Sequence, residues 1–192
     1  MILSKWNDNL KEIFNGVPQN EKLEIVISSI LDFMISKNWR GACHESCGVL
    51  YVLLNELGIS CEWRLGEVRF KDKAINKTPI CFDHSWILLD GQIIDLAICR
   101  TAAHEYDVPP TIMSKNIENL GEPAVIYDFN SGWGDDPNTK LLKNTPLSMY
   151  FNNSPMHKTL GTWLLIQNIA NKVSHSTSIV SLRKKYSGIY WK

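Results

Sequence analysis

The stretch Trp39 to Leu57, W-R-G-A-C-H-E-S-C-G-V-L-Y-V-L-L-N-E-L, constrains this chain more than any other. Cys47, Leu50, Tyr51 and Leu54 recur at i, i+3, i+4 and i+7. Leu50, Leu53, Leu54 and Leu57 repeat the pattern one turn on. Gly41 before it and Gly58 after it are start and stop signals, so the spacing predicts a helix buried along most of its length. Cys43 falls in the first turn. There, unpaired N–H groups and the positive end of the helix dipole lower a thiol pKa. Glu45, two residues on, works the other way unless it points elsewhere.

The second informative stretch is C-F-D-H-S-W-I-L-L-D-G-Q-I-I-D-L-A-I, Cys81 to Ile98. Asp90-Gly91 between apolar runs signals a two-residue hairpin. Leu89 then faces Gln92 and Leu88 faces Ile93. Carried on, the same register sets Trp86 opposite Asp95 and His84 opposite Ala97. His84, Trp86, Leu88, Ile93, Asp95 and Ala97 would share one face. His84 and Asp95 become diagonal neighbours with roughly 7–8 Å between backbones, which an imidazole and a carboxylate can span. A slip of one residue would turn Asp95 away.

Around these lie simpler signals. Asn7–Phe14 and Glu21–Ser36 predict two packing helices, the second with Leu23, Val26, Ile27 and Ile30 in one stripe. In Ser60–Phe70 the alternation of Cys61, Trp63 and Leu65 gives way to Val68 and Phe70, with Gly66 at the change, as a bulge would produce. Lys71–Thr78 reads as a loop. Ala124–Tyr127 reads as a strand, Asp128–Thr139 as a Gly/Asp/Asn-rich loop and Leu160–Val173 as a helix; Ile179–Lys192 has no clear pattern. The expected architecture is one α+β domain over residues 1–192, with helices packed on one side of an antiparallel sheet. Residues 1–38 supply the N-terminal helices, 39–98 the core and 99–192 an unassigned half.

Lys plus Arg equals Asp plus Glu at 20 each, which argues against a broad nucleic-acid footprint. No apolar run reaches ~18 residues, so no membrane span is expected. The N-terminus lacks a secretory pattern, and five scattered cysteines fit a reducing compartment better than a disulfide framework. A cytoplasmic protein, or one exported without a cleaved signal, is the expectation. No phosphate-cradling or dinucleotide fingerprint is present, and neither metal nor nucleotide cofactor is expected.

A thiol nucleophile needs a base, and the base needs a third group to set its tautomer. Cys43, His84 and Asp95 supply those parts. Here the chain resembles the transglutaminase-like, papain-like superfamily of cysteine enzymes. G-A-C-H-E-S-C-G-V-L-Y-V-L-L-N-E-L-G-I-S is similar to its catalytic helix, opened by Gly-x-Cys and closed by Leu-Gly-Ile. D-H-S-W-I-L-L-D-G-Q-I-I-D resembles its His-x-Trp strand and its Asp strand. The resemblance covers Trp39 to Ala97. It implies that fold, with Cys43 as nucleophile, His84 as base, Asp95 as orienting acid and acyl transfer through a thioester on a peptide, protein or small amide. R-G-A-C-H-E also resembles the Arg-Gly-Gly-x-Cys-x-Glu of arylamine N-acetyltransferases through Arg40, Gly41, Cys43 and Glu45. The glycine-rich stretch expected after the Asp is replaced by Leu96-Ala97-Ile98-Cys99. A non-catalytic interaction module with the same fold is the rival from another class.

The remaining candidates carry simpler readings. Cys47, Cys61, Cys81 and Cys99 read as core thiols. Cys43, His44 and Cys47 with His84 could bind zinc, but the spacing is not that of a structural site. His104-Glu105 reads as a solvated pair, and Asp83 as an outer partner facing away from His84. Trp86 is expected to pack beside the triad; Trp39 reads equally as a wall of the site or as core. Asp128, Asn130 and Gly132 look like the start of a calcium loop, but Trp133 stands where the glycine belongs. Trp133 and Asp135-Asp136 read as a surface turn or, alternatively, a lid over the thiol.

Overall fold

The computed structural model describes residues 2–75, 77–128, 137–154 and 161–191. The expected lid of Trp133, Asp135 and Asp136, and most of the calcium-like loop, lie outside these residues.

The buried helix forms as α3, Cys43–Glu56, with Cys43 as its first residue. Its end is chemically explicit. Gly58 takes φ 73°, the Gly58 N–H donates to Asn55 O at 3.1 Å, and the Ile59 N–H donates to Leu54 O at 2.9 Å. That is a Schellman closure, which requires a residue free to adopt positive φ. Its start has no side-chain cap, because Ala42 occupies the N-cap position. Burial is broader than the stripe foretold: Val49 and Val52 are as buried as Leu50 and Leu54. The reason is that α3 is packed on several sides, by α2 (Asn20–Ser36), by α6 (Thr162–Lys172) and by the sheet. Gly48 lets α5 (Leu147–Asn153) approach, since a Cβ there would meet the Phe151 ring at 2.9 Å.

The sheet is antiparallel with strand order β3-β2-β1-β6, where β1 is Glu62–Ile75, β2 is Thr78–Leu89, β3 is Gln92–Ile94 and β6 is Val125–Asp128. A two-stranded ribbon, β4 (Thr111–Ile112) and β5 (Lys115–Asn116), stands beside it. With α1 (Ile2–Ile13), α4 (Pro137–Lys143) and α7 (Ile179–Lys185), the described residues form a mixed α+β structure. The helix foretold from Asn7 begins earlier, and part of the unpatterned C-terminus is α7. Helix α6 lies within its expected span Leu160–Val173, with Gly161 and Val173 as its caps; Leu160 is outside the described residues.

Two readings of β1 need correction. Gly66 is not a bulge: pairing with β2 runs in register from Glu62↔Leu88 to Arg69↔Cys81, and the irregularity lies between Arg69 and Ala74. The change of phase arises because both faces of the sheet are covered. Trp63 packs with Ile87 in the helix-side cluster, while Val68 and Phe70 pack with Trp86, Ile98 and Val125 on the opposite face. Gly66 answers to a close approach instead, since a Cβ there would stand 2.5 Å from Asp128 O and 2.6 Å from the Trp86 ring. The expected loop Lys71–Thr78 is largely strand, because β1 and β2 extend almost to their turn.

The Asp90-Gly91 turn has positive φ at both residues, 50° and 75°, and the β2–β3 register is the one foretold. The ladder stops at Ile94, however, and does not carry Asp95 opposite Trp86 or Ala97 opposite His84. The backbone of Asp95 pairs with Thr111 instead, and its Oδ1 accepts the Ala97 and Ile98 N–H groups, which turns the chain into a short 3-10 helix over Ala97–Arg100.

No helix among the described residues is long and apolar enough to cross a membrane.

Candidate active site

Cys43 sits at the head of α3 on the wall of a cleft of about 390 Å³. Phe82, Asp83 and His84 of β2 form a second wall, and Ala97, Arg100–Ala103 and Tyr106 a third. That third wall is tied down where α3 begins. The Gly41 N–H donates to Arg100 O at 2.9 Å, with Gly41 at φ 61°. Arg40 Nη2 donates to both oxygens of Asp107 at 2.7 and 2.6 Å, and Asp107 also accepts the Thr101 N–H and hydroxyl. Trp39 is buried and packs edge-on to Phe33. It lines a neighbouring cavity with Glu45 and Tyr150 rather than the cleft that holds Cys43.

Of the three residues picked out by spacing, His84 and Asp95 are bonded, and Cys43 lines the same cleft as His84. His84 Nε2 donates to Asp95 Oδ2 at 2.8 Å, with both side chains at most 2% exposed. Asp95 is held from four sides: by His84, by the Ala97 and Ile98 N–H groups, and by the Tyr127 hydroxyl at 3.0 Å, which itself lies 2.9 Å from Thr111 Oγ1. Trp86 meets Tyr127 edge-on behind the pair. The other ring nitrogen of His84, Nδ1, is buried and makes no hydrogen bond that would commit it elsewhere.

Burial alone would raise the Cys43 thiol. The charges of His44 and His84, with hydrogen bonding to both rings, reverse this and bring it down to about 5. Burial acts to lower His84; the charges of Asp95 and Cys43, then hydrogen bonds to them, raise it to about 10. Of the five cysteines Cys43 is the one lowered: burial pushes Cys47, Cys61, Cys81 and Cys99 up, Cys61 and Cys99 to about 12. Cys47 and Cys99 are core thiols as foretold, and Cys61 is half-buried. Cys81 corrects that reading: it is exposed, because it sits opposite Arg69 in the outer part of the hairpin.

Glu45 does not face the sulfur. It is buried, and its Oε1 accepts the Thr162 hydroxyl at the start of α6. Asp83 does face away from His84, and its partner is His44, at 3.4 Å from Nε2. His44 Nδ1 lies 2.6 Å from Ser85 Oγ, and Trp191 packs edge-on to the ring at 5.3 Å. The sequence offers His44 only as a zinc ligand; its contacts with Asp83 and Ser85, two β2 residues of one parity, are tertiary. Tyr127, Thr162 and Trp191 come from distant chain and carried no signal. His104 is exposed, 3.8 Å from Asp107, and not part of the cleft. Among the described residues no group of three or more His, Cys, Asp or Glu is disposed to hold a metal ion.

Chemically, the arrangement joins an ionisable sulfur, a ring nitrogen free to move a proton, and a fixed carboxylate. The first backbone bond of α3 is Ser46 N–H to Ala42 O, so the N–H groups of Cys43, His44 and Glu45 precede any intrahelical acceptor. Compared with known proteins, the chain matches no family model, no curated protein and no solved structure.

Proposed function

We propose that the chain is a cysteine-dependent acyl-transfer enzyme of the transglutaminase-like, papain-like kind, hydrolysing an amide or peptide bond or passing the acyl group to an amine. The observation that carries the proposal is the state of His84. One nitrogen is committed to Asp95 at 2.8 Å, and the other is buried, uncommitted and coupled to a lowered Cys43 thiol.

The thiolate of Cys43 attacks the carbonyl carbon; a C–S bond forms and the carbonyl π pair moves to oxygen. Backbone N–H groups at the head of α3 stabilise that oxyanion. As the C–N bond breaks, His84 Nδ1 gives its proton to the leaving amine. Neutral His84 then takes a proton from water, or from an acceptor amine, as it adds to the thioester, and the C–S bond breaks with its pair returning to sulfur. Asp95 keeps Nε2 protonated throughout and sets the tautomer. Phe82, Ala97, Ala102, Ala103 and Tyr106 make the cleft mostly apolar, which favours an uncharged acyl side.

A mass-spectrometric screen with amide and ester probes tests this. The expected result is one acyl adduct, on Cys43, absent in Cys43→Ala. A stable adduct from acetyl-CoA but from no amide probe would replace this reading with the acetyltransferase-like one. No adduct from any probe, with Cys43 no more reactive than a free thiol, would leave the interaction module.

A further inference from the structure

Cys43 stands beside two imidazoles, and the mechanism above uses one. His44 follows Cys43 on α3 and lines the same cleft. Both of its ring nitrogens are engaged, Nδ1 with Ser85 Oγ at 2.6 Å and Nε2 with Asp83 Oδ2 at 3.4 Å. The edge of Trp191 closes one side of the ring. His44 also borders a second cleft of about 260 Å³ with Asp83, Leu141, Leu142, Thr145 and Tyr150. The titratable groups around it are therefore Cys43 on its own helix, Asp83 and His84 on β2, and Tyr150 on α5. A ring held at both nitrogens is poorly suited to passing a proton to substrate. Doubly protonated, it donates to Ser85 and to Asp83 at once, which fixes a positive charge beside the sulfur.

Resting on the acyl-transfer reading, we propose that His44 is a second, permanent cation at the Cys43 sulfur, which stabilises the thiolate before attack and again as it leaves when the thioester breaks. The proton ledger then closes without His44. His84 loses its proton to the departing amine and regains one from water, while His44 keeps both of its own. When the thioester breaks, the electron pair returns to a sulfur facing two imidazoliums rather than one, which eases C–S cleavage. The charge states agree: burial acts to lower His44, but the charge of Cys43 and hydrogen bonding to Asp83 and to Cys43 raise it to about 9, and Asp83 is itself lowered by its hydrogen bond to His44.

The test is the pH dependence of Cys43 alkylation by iodoacetamide, read on the Cys43 peptide of the full chain, in His44→Gln, His84→Gln, the double variant and Asp83→Asn. The expected result for His44→Gln is an inflection raised by about one pH unit or more, which is a rate about fivefold lower at pH 5 and about tenfold lower well below it. His84→Gln should keep Cys43 more reactive than glutathione at pH 7, and the double variant should not. Asp83→Asn separates a fixed charge from mere packing. Acting directly, loss of a negative charge would lower the inflection; acting through His44, it raises it. An unchanged or lowered inflection in both His44→Gln and Asp83→Asn overturns the proposal while leaving a low wild-type inflection, and with it the acyl-transfer reading, intact. A wild-type inflection at the free-thiol position overturns the acyl-transfer reading itself.

Discussion

Two His–Asp pairs bear on one sulfur, and they are built differently. His84–Asp95 is sealed, with side chains 2% and 1% exposed, and its carboxylate is fixed by two backbone N–H groups and by Tyr127. His44–Asp83 is shallow, 18% and 36% exposed, and longer, 3.4 Å against 2.8 Å. The sealed pair leaves one ring nitrogen uncommitted; the shallow pair leaves none. A histidine beside a carboxylate is therefore not enough to assign a role. The spare nitrogen suits His84 to moving protons, and its absence suits His44 to holding charge.

Breaking the sealed pair carries the largest expected effect. His84→Gln should lower turnover by about 10²–10⁴-fold, the range for losing a general acid–base. Asp95→Asn should approach it and also destabilise the fold, because the 3-10 turn at Ala97 and the imidazole both depend on that carboxylate. Loss of one partner from a buried pair costs about 3–5 kcal/mol, which a thermal melt reads. Tyr127→Phe sharpens the comparison with a smaller change. It removes one hydrogen bond to a charged oxygen, about 1.5–3 kcal/mol. It should lower turnover about tenfold while leaving the His44 side, and the alkylation rate of Cys43, nearly unchanged.

Stability against pH reads the two pairs together, and its sign follows from the same charges. Cys43 is lowered to about 5 from an ordinary 9.0, while His84 and His44 are raised to about 10 and about 9 from 6.5. Between about pH 5 and 6.5 the unfolded chain holds a thiol proton that the folded chain lacks, so stability rises with pH. Between 6.5 and about 9 the folded chain keeps two imidazole protons that the unfolded chain loses, against one thiol proton, so stability falls. Melts across this range should peak near pH 6.5, and His44→Gln should flatten the fall.

How much of this was legible in the sequence differs by region. Helix α3 was legible because a 3.6-residue repeat bracketed by Gly41 and Gly58 is a local signal. The nearness of His84 and Asp95 was legible too, since the Asp90-Gly91 turn sets the register as far as Ile87↔Ile94. The path was not: the side chain of Asp95 bonds the N–H groups after it and ends the strand where the ladder was expected to continue. Gly66 was misread because one strand does not reveal that both faces of its sheet are covered. The segment carrying Ile98, Tyr106 and Val108 does the covering. Tyr127, Thr162 and Trp191 reach the site only through tertiary packing, so their bracing of it had no local signature.

The central claim is that Cys43 is an anion held by its imidazoles, and its alkylation rate from pH 4 to 10 measures this most directly. The account predicts an inflection near pH 5 in the wild type and a clear upward shift in His84→Gln. An inflection near 8.5–9, the range of an unperturbed thiol, unmoved by His84→Gln, would contradict it.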